Sequence, residues 1–264
     1  MTVNIERPES EFPELIVTVP DDWPHIKLAP LYDVHLGNNL HASKTFIRHS
    51  GWIADDPYVL TFDGGDIFEN AILGSPGIFS QRVIPEDQFS EAKAKLKPLV
   101  SKMLFIIPGN HEYRTFRQTG FDIARHLADI LGVQYFPDYC FCTINWRGNH
   151  FRIAAHHGTG AAATPGGQRN AARKDMPWLR ADIYWTGHLH QPVVDLVYQT
   201  DYDQATGRMF TRQGVVIVSP SYLQYFGGYA AAKRLAPGAI GLIPVTLQED
   251  GRMDVEIHAK GKRL

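Results

Sequence analysis

Nine side chains that could hold a cation or move a proton stand at five places along the chain: Asp33 and His35, Asp66, Asn110 and His111, His156 and His157, and His188 and His190. Carboxylates, imidazoles and one amide make a mixed oxygen and nitrogen set with no thiolate. Such a set suits divalent first-row metals. It is too large for one tetrahedral ion. It is large enough for two ions that share a carboxylate, the arrangement that clamps both the attacking and the leaving oxygen of a phosphoryl group. Histidine is also the outlier of the composition, with 12 residues in 264.

The spacing within each place has a physical reason. Asp33 and His35 are two residues apart, so on an extended segment both side chains point one way, and the same holds for His188 and His190. Gly65, Gly109 and Gly187 each stand directly before a candidate ligand, where the backbone must turn or approach another segment closely.

These residues need elements to carry them, and each place follows a short apolar run. "HIKLAPLY" runs into Asp33, "YVLTF" into "DGGD", "MLFIIP" into Asn110, "FRIAA" into His156, and "DIYWT" into "GHLH". Each run reads as a buried strand. Helical patterns lie between them. "PEDQFSEAKAKLKPLVSKM" starts with Pro85 and acids and ends with lysines, as the helix dipole prefers. Phe89, Ala92, Leu96 and Val100 share its apolar face, and Pro98 is expected to bend it. "GFDIARHLADILGV" places Phe121, Ala124, Leu127 and Leu131 on one stripe, with Gly132 as C-cap. Strand and helix alternation predicts an α/β fold. Near the C-terminus, "GVVIVS" and "IGLIPVTLQEDGRMDVEIHA" read as strands with a turn at Glu249 to Gly251. "GTGAAATPGGQ", Gly158 to Gln168, is a small-residue loop expected to be mobile. No linker is visible, so residues 1–264 are expected to form one domain.

"DVH" at Asp33, "GGD" at Asp66, "GNHE" at Gly109 to Glu112, "HHG" at His156 to Gly158 and "GHLH" at Gly187 to His190 together resemble the five ordered motifs of the calcineurin-like metallophosphoesterase superfamily. The resemblance covers about the first two-thirds of the chain. It implies a four-layer α/β/β/α sandwich with two metals at the strand ends. It assigns Asp33, His35 and His190 to one metal. It assigns Asn110, a histidine of the fourth motif and His188 to the other, with Asp66 bridging. His111 is implied as a proton donor and phosphate contact, and Glu112 as a group that orients its neighbours. Family members place the fourth ligand either directly before glycine, which favours His157, or first in a histidine pair, which favours His156. Adjacent strand residues point oppositely, so one of the two is expected to ligate, His157 ahead of His156. Many relatives carry a further aspartate after the bridging one. Glu69 and Asn70 stand in its place and are expected to serve local structure.

The expected activity is metal-dependent phosphoester hydrolysis with two divalent cations, manganese first and iron or zinc as alternatives. A phosphodiesterase acting on a nucleotide or nucleic acid is expected ahead of a DNA exo- or endonuclease of the repair type. A metal-binding interaction module without catalysis is the rival from another class, and it is disfavoured because every ligand and His111 are present. Arg114 is a candidate for substrate phosphates. Arg117, Arg169, Arg173 and Lys174 are weaker candidates. Tyr222, Tyr225, Phe226 and Tyr229 could stack on a base, but core packing is the preferred reading.

Composition bounds the partners. The formal net charge is −2, so nucleic-acid binding would need a local basic patch. Cys140 and Cys142 lack metal or redox spacing and read as two small strand residues facing one side. His25, His41, His49, His126, His150 and His258 lack ligand company and read as surface or helix residues. The polar, acidic N-terminus does not look like a signal peptide, and no apolar run approaches the ~20 residues that span a bilayer. A cytoplasmic protein without membrane contact is expected.

Overall fold

The computed structural model describes residues 2–75, 77–160, 162 and 164–260, without the side chains of Tyr229, Ala259 and Lys260. Strands β1 (Asn4–Glu6), β2 (Glu14–Thr18) and β3 (Ile26–Leu28) precede helix α1 (Ser43–Asp55). Then come β4 (Val59–Asp63), α2 (Pro85–Leu96), β5 (Met103–Ile106), α3 (Asn110–Thr119) and α4 (Ile123–Leu131). Strands β6 (Gln134–Tyr135), β7 (Tyr139–Trp146) and β8 (Asn149–His156) lead to α5 (Pro165–Ala172). The chain ends with β9 (Ile183–Thr186), β10 (Val193–Tyr202), β11 (Met209–Val218), α6 (Tyr229–Ala232), β12 (Ile240–Leu242), β13 (Val245–Leu247), β14 (Met253–Val255) and β15 (His258–Lys260).

The strands form two large mixed sheets and a small pair. One sheet has the order β1-β2-β7-β8-β9-β11-β10, the other β14-β13-β3-β4-β5-β6, and β12 pairs with β15. Strands β3, β4, β5 and β6 run parallel, as do β8, β9 and β11. Parallel neighbours send their chain ends to a common edge, which is where side chains from separate motifs can meet.

Three apolar clusters bind the elements. The largest joins the two sheets: Leu15, Val17, Trp146, Trp185 and Ile217 of one meet Leu28, Phe62, Phe105 and Val245 of the other. Cys140 and Cys142 belong to it, free and fully buried on one side of β7, as their spacing predicts. A second cluster lies where α1, α2 and α4 cover the six-stranded sheet, and a third where α5 covers the seven-stranded one. Fully burying a side chain such as Leu or Phe contributes ~1.5–3 kcal/mol, so these clusters dominate the stability.

The helices depart from the sequence pattern in instructive ways. Helix α2 begins at Pro85 with Glu86 and Asp87 in its first turn, as expected. It ends at Leu96, and a 3-10 stretch over Lys97–Lys102 replaces the bend expected at Pro98, burying Leu99 where Val100 was expected. Gln88, not Phe89, is the fully buried residue of its first turns. Its amide nitrogen donates to Val83 O and Gln81 Oε1, and its oxygen accepts from the Asn70 N–H. Helix α4 starts only at Ile123, because the Asp122 carboxylate caps the Arg125 N–H at 3.0 Å. Phe121 therefore stays outside, 47% exposed, and Ile123, Ala124, Leu127 and Ala128 form the buried stripe. The small-residue loop is partly helical: Thr164 caps α5, which takes in Pro165 to Gln168. No helix among the described residues is long and apolar enough to cross a membrane.

Candidate metal centre

The five loops leave the C-terminal ends of β3, β4, β5, β8 and β9 and converge. Their backbone is not extended at the key positions. Asp33 (φ 50°), His35 (φ 53°), Asp66 (φ 57°), His188 (φ 66°) and His190 (φ 56°) are all left-handed. This corrects the expectation that the Asp33/His35 and His188/His190 pairs lie on extended segments. A left-handed non-glycine residue costs roughly 1–2 kcal/mol, so the surroundings must hold it. The Asp33 N–H donates to Gly65 O at 3.0 Å and the His35 N–H to Asp66 O at 2.9 Å. The His188 N–H donates to Asp33 Oδ2 at 2.8 Å. Strain of this kind gathers where function over-determines the backbone.

Two glycines admit the close approach. Gly65 has φ 101°, and a Cβ there would stand 2.6 Å from His157 Nδ1. A Cβ at Gly187 would stand 2.5 Å from Asp33 Oδ2. Either would push a candidate ligand out of place.

The side chains form three adjoining groups: Asp33 with His35 and His190, Asp66 with His157 and His188, and a third in which His35 is shared with Glu69 and His111. In the first, His190 Nε2 lies 3.1 Å from Asp33 Oδ1 and 3.3 Å from His35 Nε2. In the second, His157 Nε2 lies 3.3 Å from Asp66 Oδ2 and 3.2 Å from Asn110 Oδ1, and His188 Nδ1 is 2.7 Å from Asn110 Oδ1. Asp66 Oδ2 is also 3.9 Å from His35 Nε2, so this one carboxylate faces both of the first two groups. Its other oxygen accepts the His111 N–H at 2.8 Å, at the positive end of α3.

Of the fourth-motif pair, His157 enters the cluster and His156 does not. His157 Nδ1 is fixed at 3.0 Å from Gly64 O. His156 points to the opposite side, its Nε2 3.0 Å from Asp175 Oδ2 and its ring 4.9 Å from that of Tyr139. Strand alternation produces this split.

Asn110 is the first residue of α3 and not a strand end. Glu112 holds this junction together. It accepts from the Gly109 N–H at 2.7 Å, the Asp66 N–H at 2.9 Å and the Phe68 N–H at 3.0 Å. One carboxylate thus ties the loop after β4 to the start of α3. His111 Nδ1 is 2.6 Å from Glu69 O, so that nitrogen carries the proton and donates. Its Nε2 accepts from Arg114 Nη2 at 2.8 Å, and Arg114 Nη1 also donates to Glu69 O at 3.0 Å.

Glu69 and Asn70 do more than shape their own loop. Glu69 Oε2 lies 3.2 Å from His35 Nδ1, an ion-pair distance without hydrogen-bond alignment, and accepts from Asn38 Nδ2 at 2.8 Å. Asn70 Nδ2 donates to His111 O at 2.6 Å and to Thr115 Oγ1 at 2.9 Å. Asn38 and Gln88 were not singled out by sequence. A glutamate, an asparagine and a glutamine near a motif signal nothing until the fold brings them to it.

The charges are strongly coupled to burial. Burial alone would raise Asp66, yet His111 and His157 outweigh it and hold the carboxyl well below its usual range. Asp33 is likewise lowered against its burial, by His190. Burial opposes a charge on His157, but Asp66 pushes its pKa up to about 10. Burial, with Arg114 and His35 adding, lowers His111 to about 4. Behind the cluster, burial and Glu112 raise Asp63 well above the ordinary carboxyl range.

The remaining candidates are placed elsewhere. Arg169 and Arg173 pair with Asp195 of β10. Arg117 is exposed on α3. Tyr222 is fully buried against Phe46, and Tyr225 donates to Leu235 O at 2.6 Å. Phe226 is exposed, and the side chain of Tyr229 lies outside the described residues. His41 and His49, expected as surface or helix residues, are buried at 7% and 5% exposure, His49 on α1.

The donor set fits divalent cations. Two imidazole nitrogens 3.3 Å apart, His35 Nε2 and His190 Nε2, can share at most one proton, while Asp33 beside them is held as an anion. A cation between them satisfies all three groups. The same holds for Asp66, Asn110, His157 and His188, which present one carboxylate, one amide oxygen and two imidazoles to one point.

No family model and no curated protein matches the chain. Among solved structures, the chain is similar to the NAD nucleotidase NadN of Haemophilus influenzae, with a TM-score of 0.44 at 10% identity. The alignment covers 88% of this chain and 49% of that one, so this chain spans about half the nucleotidase's length. It is also similar to the calcineurin-like phosphoesterase YfkN of Bacillus subtilis, with a TM-score of 0.40 at 14% identity, covering 88% of each chain.

Proposed function

We propose that the chain is a metal-dependent phosphoester hydrolase of the calcineurin-like type, with residues 1–264 forming one catalytic domain. The single observation that carries this reading is the position of Asp66. One depressed carboxylate, on a loop shared by no other ligand, faces His35 on one side and His157 on the other at 3.9 and 3.3 Å. A bridging carboxylate between two cations requires that placement. The three apolar clusters, with helices outside each sheet and a core between the sheets, support the four-layer α/β/β/α arrangement.

In this reading Asp33, His35 and His190 would hold one cation and Asn110, His157 and His188 a second, with the Asp66 carboxylate available to both. Two bound cations of this kind supply Lewis-acid activation of water and of the phosphoryl group at neutral pH. Manganese fits this oxygen and nitrogen set, with iron or zinc as alternatives. Glu69 keeps His35 oriented, and Glu112 fixes the Asp66 and Asn110 backbones relative to each other.

His111 and Arg114 face the same space, with His111 Nε2 3.8 Å from Asp66 Oδ2. The Arg114 guanidinium, fixed on Glu69 O, presents a cation to an incoming phosphate oxygen. When it turns to the phosphate, His111 Nε2, unprotonated while it accepts from Arg114, would be freed to take a proton from solvent beside the phosphate anion and pass it to the leaving oxygen. The Glu69 carbonyl keeps the ring in the required orientation throughout. The substrate class proposed is a phosphodiester of a nucleotide or nucleic acid, with no membrane partner and a cytoplasmic setting. A repair-type DNA nuclease is the alternative. The test is activity of metal-stripped protein against a panel of phosphomonoesters and diesters, labelled DNA included, with each metal restored in turn. Restoration by manganese with diesters ahead of monoesters supports the reading. No hydrolysis with any metal would leave the interaction-module reading in its place.

A further inference from the structure

Strands β10 and β11 are each ten residues long, but β9 beside them has four and pairs only with Val215–Val218. The outer half of the ribbon, Tyr198–Tyr202 against Met209–Gln213, has no third strand among the described residues. Strand β10 is also the outermost strand of its sheet.

Alternation places Val194, Leu196, Tyr198, Thr200 and Tyr202 on one face of the ribbon. The cross-strand register puts Met209, Thr211 and Gln213 on that same face. Further along β11 the same face carries Val215 and Ile217, which belong to the core between the sheets. The outer face therefore continues the inter-sheet core past the point where the six-stranded sheet covers it. Val194 is 36% exposed, Leu196 53%, Tyr198 64%, Tyr202 61% and Met209 62%. None of the eight residues is charged. Asp195, Asp201 and Arg212 point to the other face, where Asp195 meets Arg169 and Arg173, and Arg212 meets Asp182.

A two-stranded ribbon with one open apolar face is marginal in water. The five apolar side chains expose roughly 600 Å², the upper end for a patch on a soluble monomer. With the three neutral polar neighbours the face reaches roughly 800 Å², one partner's share of a standard interface. We propose that this face is the contact surface of a two-fold homodimer, the ribbon of one copy lying on that of the second. The absence of charge selects this occupant. An isologous contact sets a patch against itself, so any charge near its centre meets its own like. A lipid surface would instead favour lysine or arginine on the face, and it has none.

The test is the solution mass of the full-length, metal-loaded protein by light scattering and sedimentation at micromolar concentration. Wild type is expected at twice the 29.7 kDa chain mass. Tyr198→Lys is expected to raise the dimer dissociation constant by on the order of 10²-fold or more, because each copy would bury an unpaired charge. Thr211→Arg should do the same while removing no apolar packing, so it decides the matter if Tyr198→Lys fails to fold. Phe121→Lys, at an apolar site elsewhere that is 47% exposed, should stay dimeric. A single-chain mass for wild type overturns the proposal, whether or not that monomer binds neutral-lipid vesicles. A dimer that survives Thr211→Arg with native circular dichroism overturns it as well.

Discussion

Glu112→Gln tests whether the candidate centre is held from behind. The carboxylate is 1% exposed and accepts three backbone N–H groups, those of Asp66, Phe68 and Gly109. Glutamine can keep its single oxygen toward Asp66 and Gly109. Its NH2 then faces the Phe68 N–H, which loses its acceptor. An unsatisfied buried N–H costs ~1–3 kcal/mol, and the two surviving bonds weaken as the charge is lost. Removing a negative charge beside Asp66 and Asp63 offsets part of this. The net expectation is roughly 2 kcal/mol, a substantial part of the 5–15 kcal/mol that typically stabilises a domain. Because the lost bond lies two residues from Asp66, metal affinity should fall too, about 10–100-fold. Urea unfolding at fixed metal concentration gives the first quantity, and calorimetric metal titration of the stripped protein the second. An unchanged unfolding midpoint together with unchanged metal affinity would refute the clamp.

Further outcomes follow from the same geometry. His157→Ala should lower metal content at the site shared with Asn110 and His188, whereas His156→Ala should leave metal content unchanged and cost only the Asp175 pairing; the reverse pattern by elemental analysis would transfer the ligand role to His156. His111→Ala should keep both metals yet slow turnover by on the order of 10²–10⁴-fold with an alkyl or nucleoside leaving group and much less with p-nitrophenolate, which departs without a proton; an equal loss on both would assign His111 to charge stabilisation. Acid should destabilise the fold through His49, which burial and Arg48 lower to about 4 and whose Nε2 accepts from Arg48 while Nδ1 faces the Tyr222 hydroxyl at 3.0 Å. The unfolded imidazole, near 6.5, takes up a proton that the folded one refuses. Stability is therefore full above about pH 6.5 and falls toward pH 4, by about 3 kcal/mol for this group. His49→Gln should flatten that part of the unfolding profile relative to wild type, and parallel profiles would reject the assignment.

The convergence of the candidate side chains was legible in the sequence because each motif joins a short apolar run to a polar cluster, and parallel strands deliver such ends to one edge. Asp33, His35, Asp66, Asn110, His157, His188 and His190 do meet. Their backbone was not legible. Left-handed conformations at Asp33, His35, Asp66, His188 and His190 come from bonds between loops distant in sequence, such as His188 N–H to Asp33, whereas the two-residue spacing of Asp33/His35 and His188/His190 predicts extended chain. The burial of Gln88, Asn38, His41 and His49 was missed for a related reason. A polar side chain reads as surface until long-range partners satisfy it, and those partners cannot be counted from local pattern. The β10–β11 ribbon escaped because Val193 and Val197 blur the polar phase of its alternation and Thr200, Thr211 and Gln213 dilute the apolar one, so the neutral face shows only once the register is known.

The central claim is that Asp66 joins two cations. The most direct measurement is the metal content per chain of protein stripped and reloaded with manganese, read by elemental analysis, for wild type and Asp66→Asn in parallel with hydrolysis of bis-p-nitrophenyl phosphate. Two ions per chain and turnover in wild type are predicted, with ion content and turnover both lost in Asp66→Asn, because a neutral amide poorly replaces a carboxylate shared by two dications. Full occupancy and normal turnover in Asp66→Asn would contradict it.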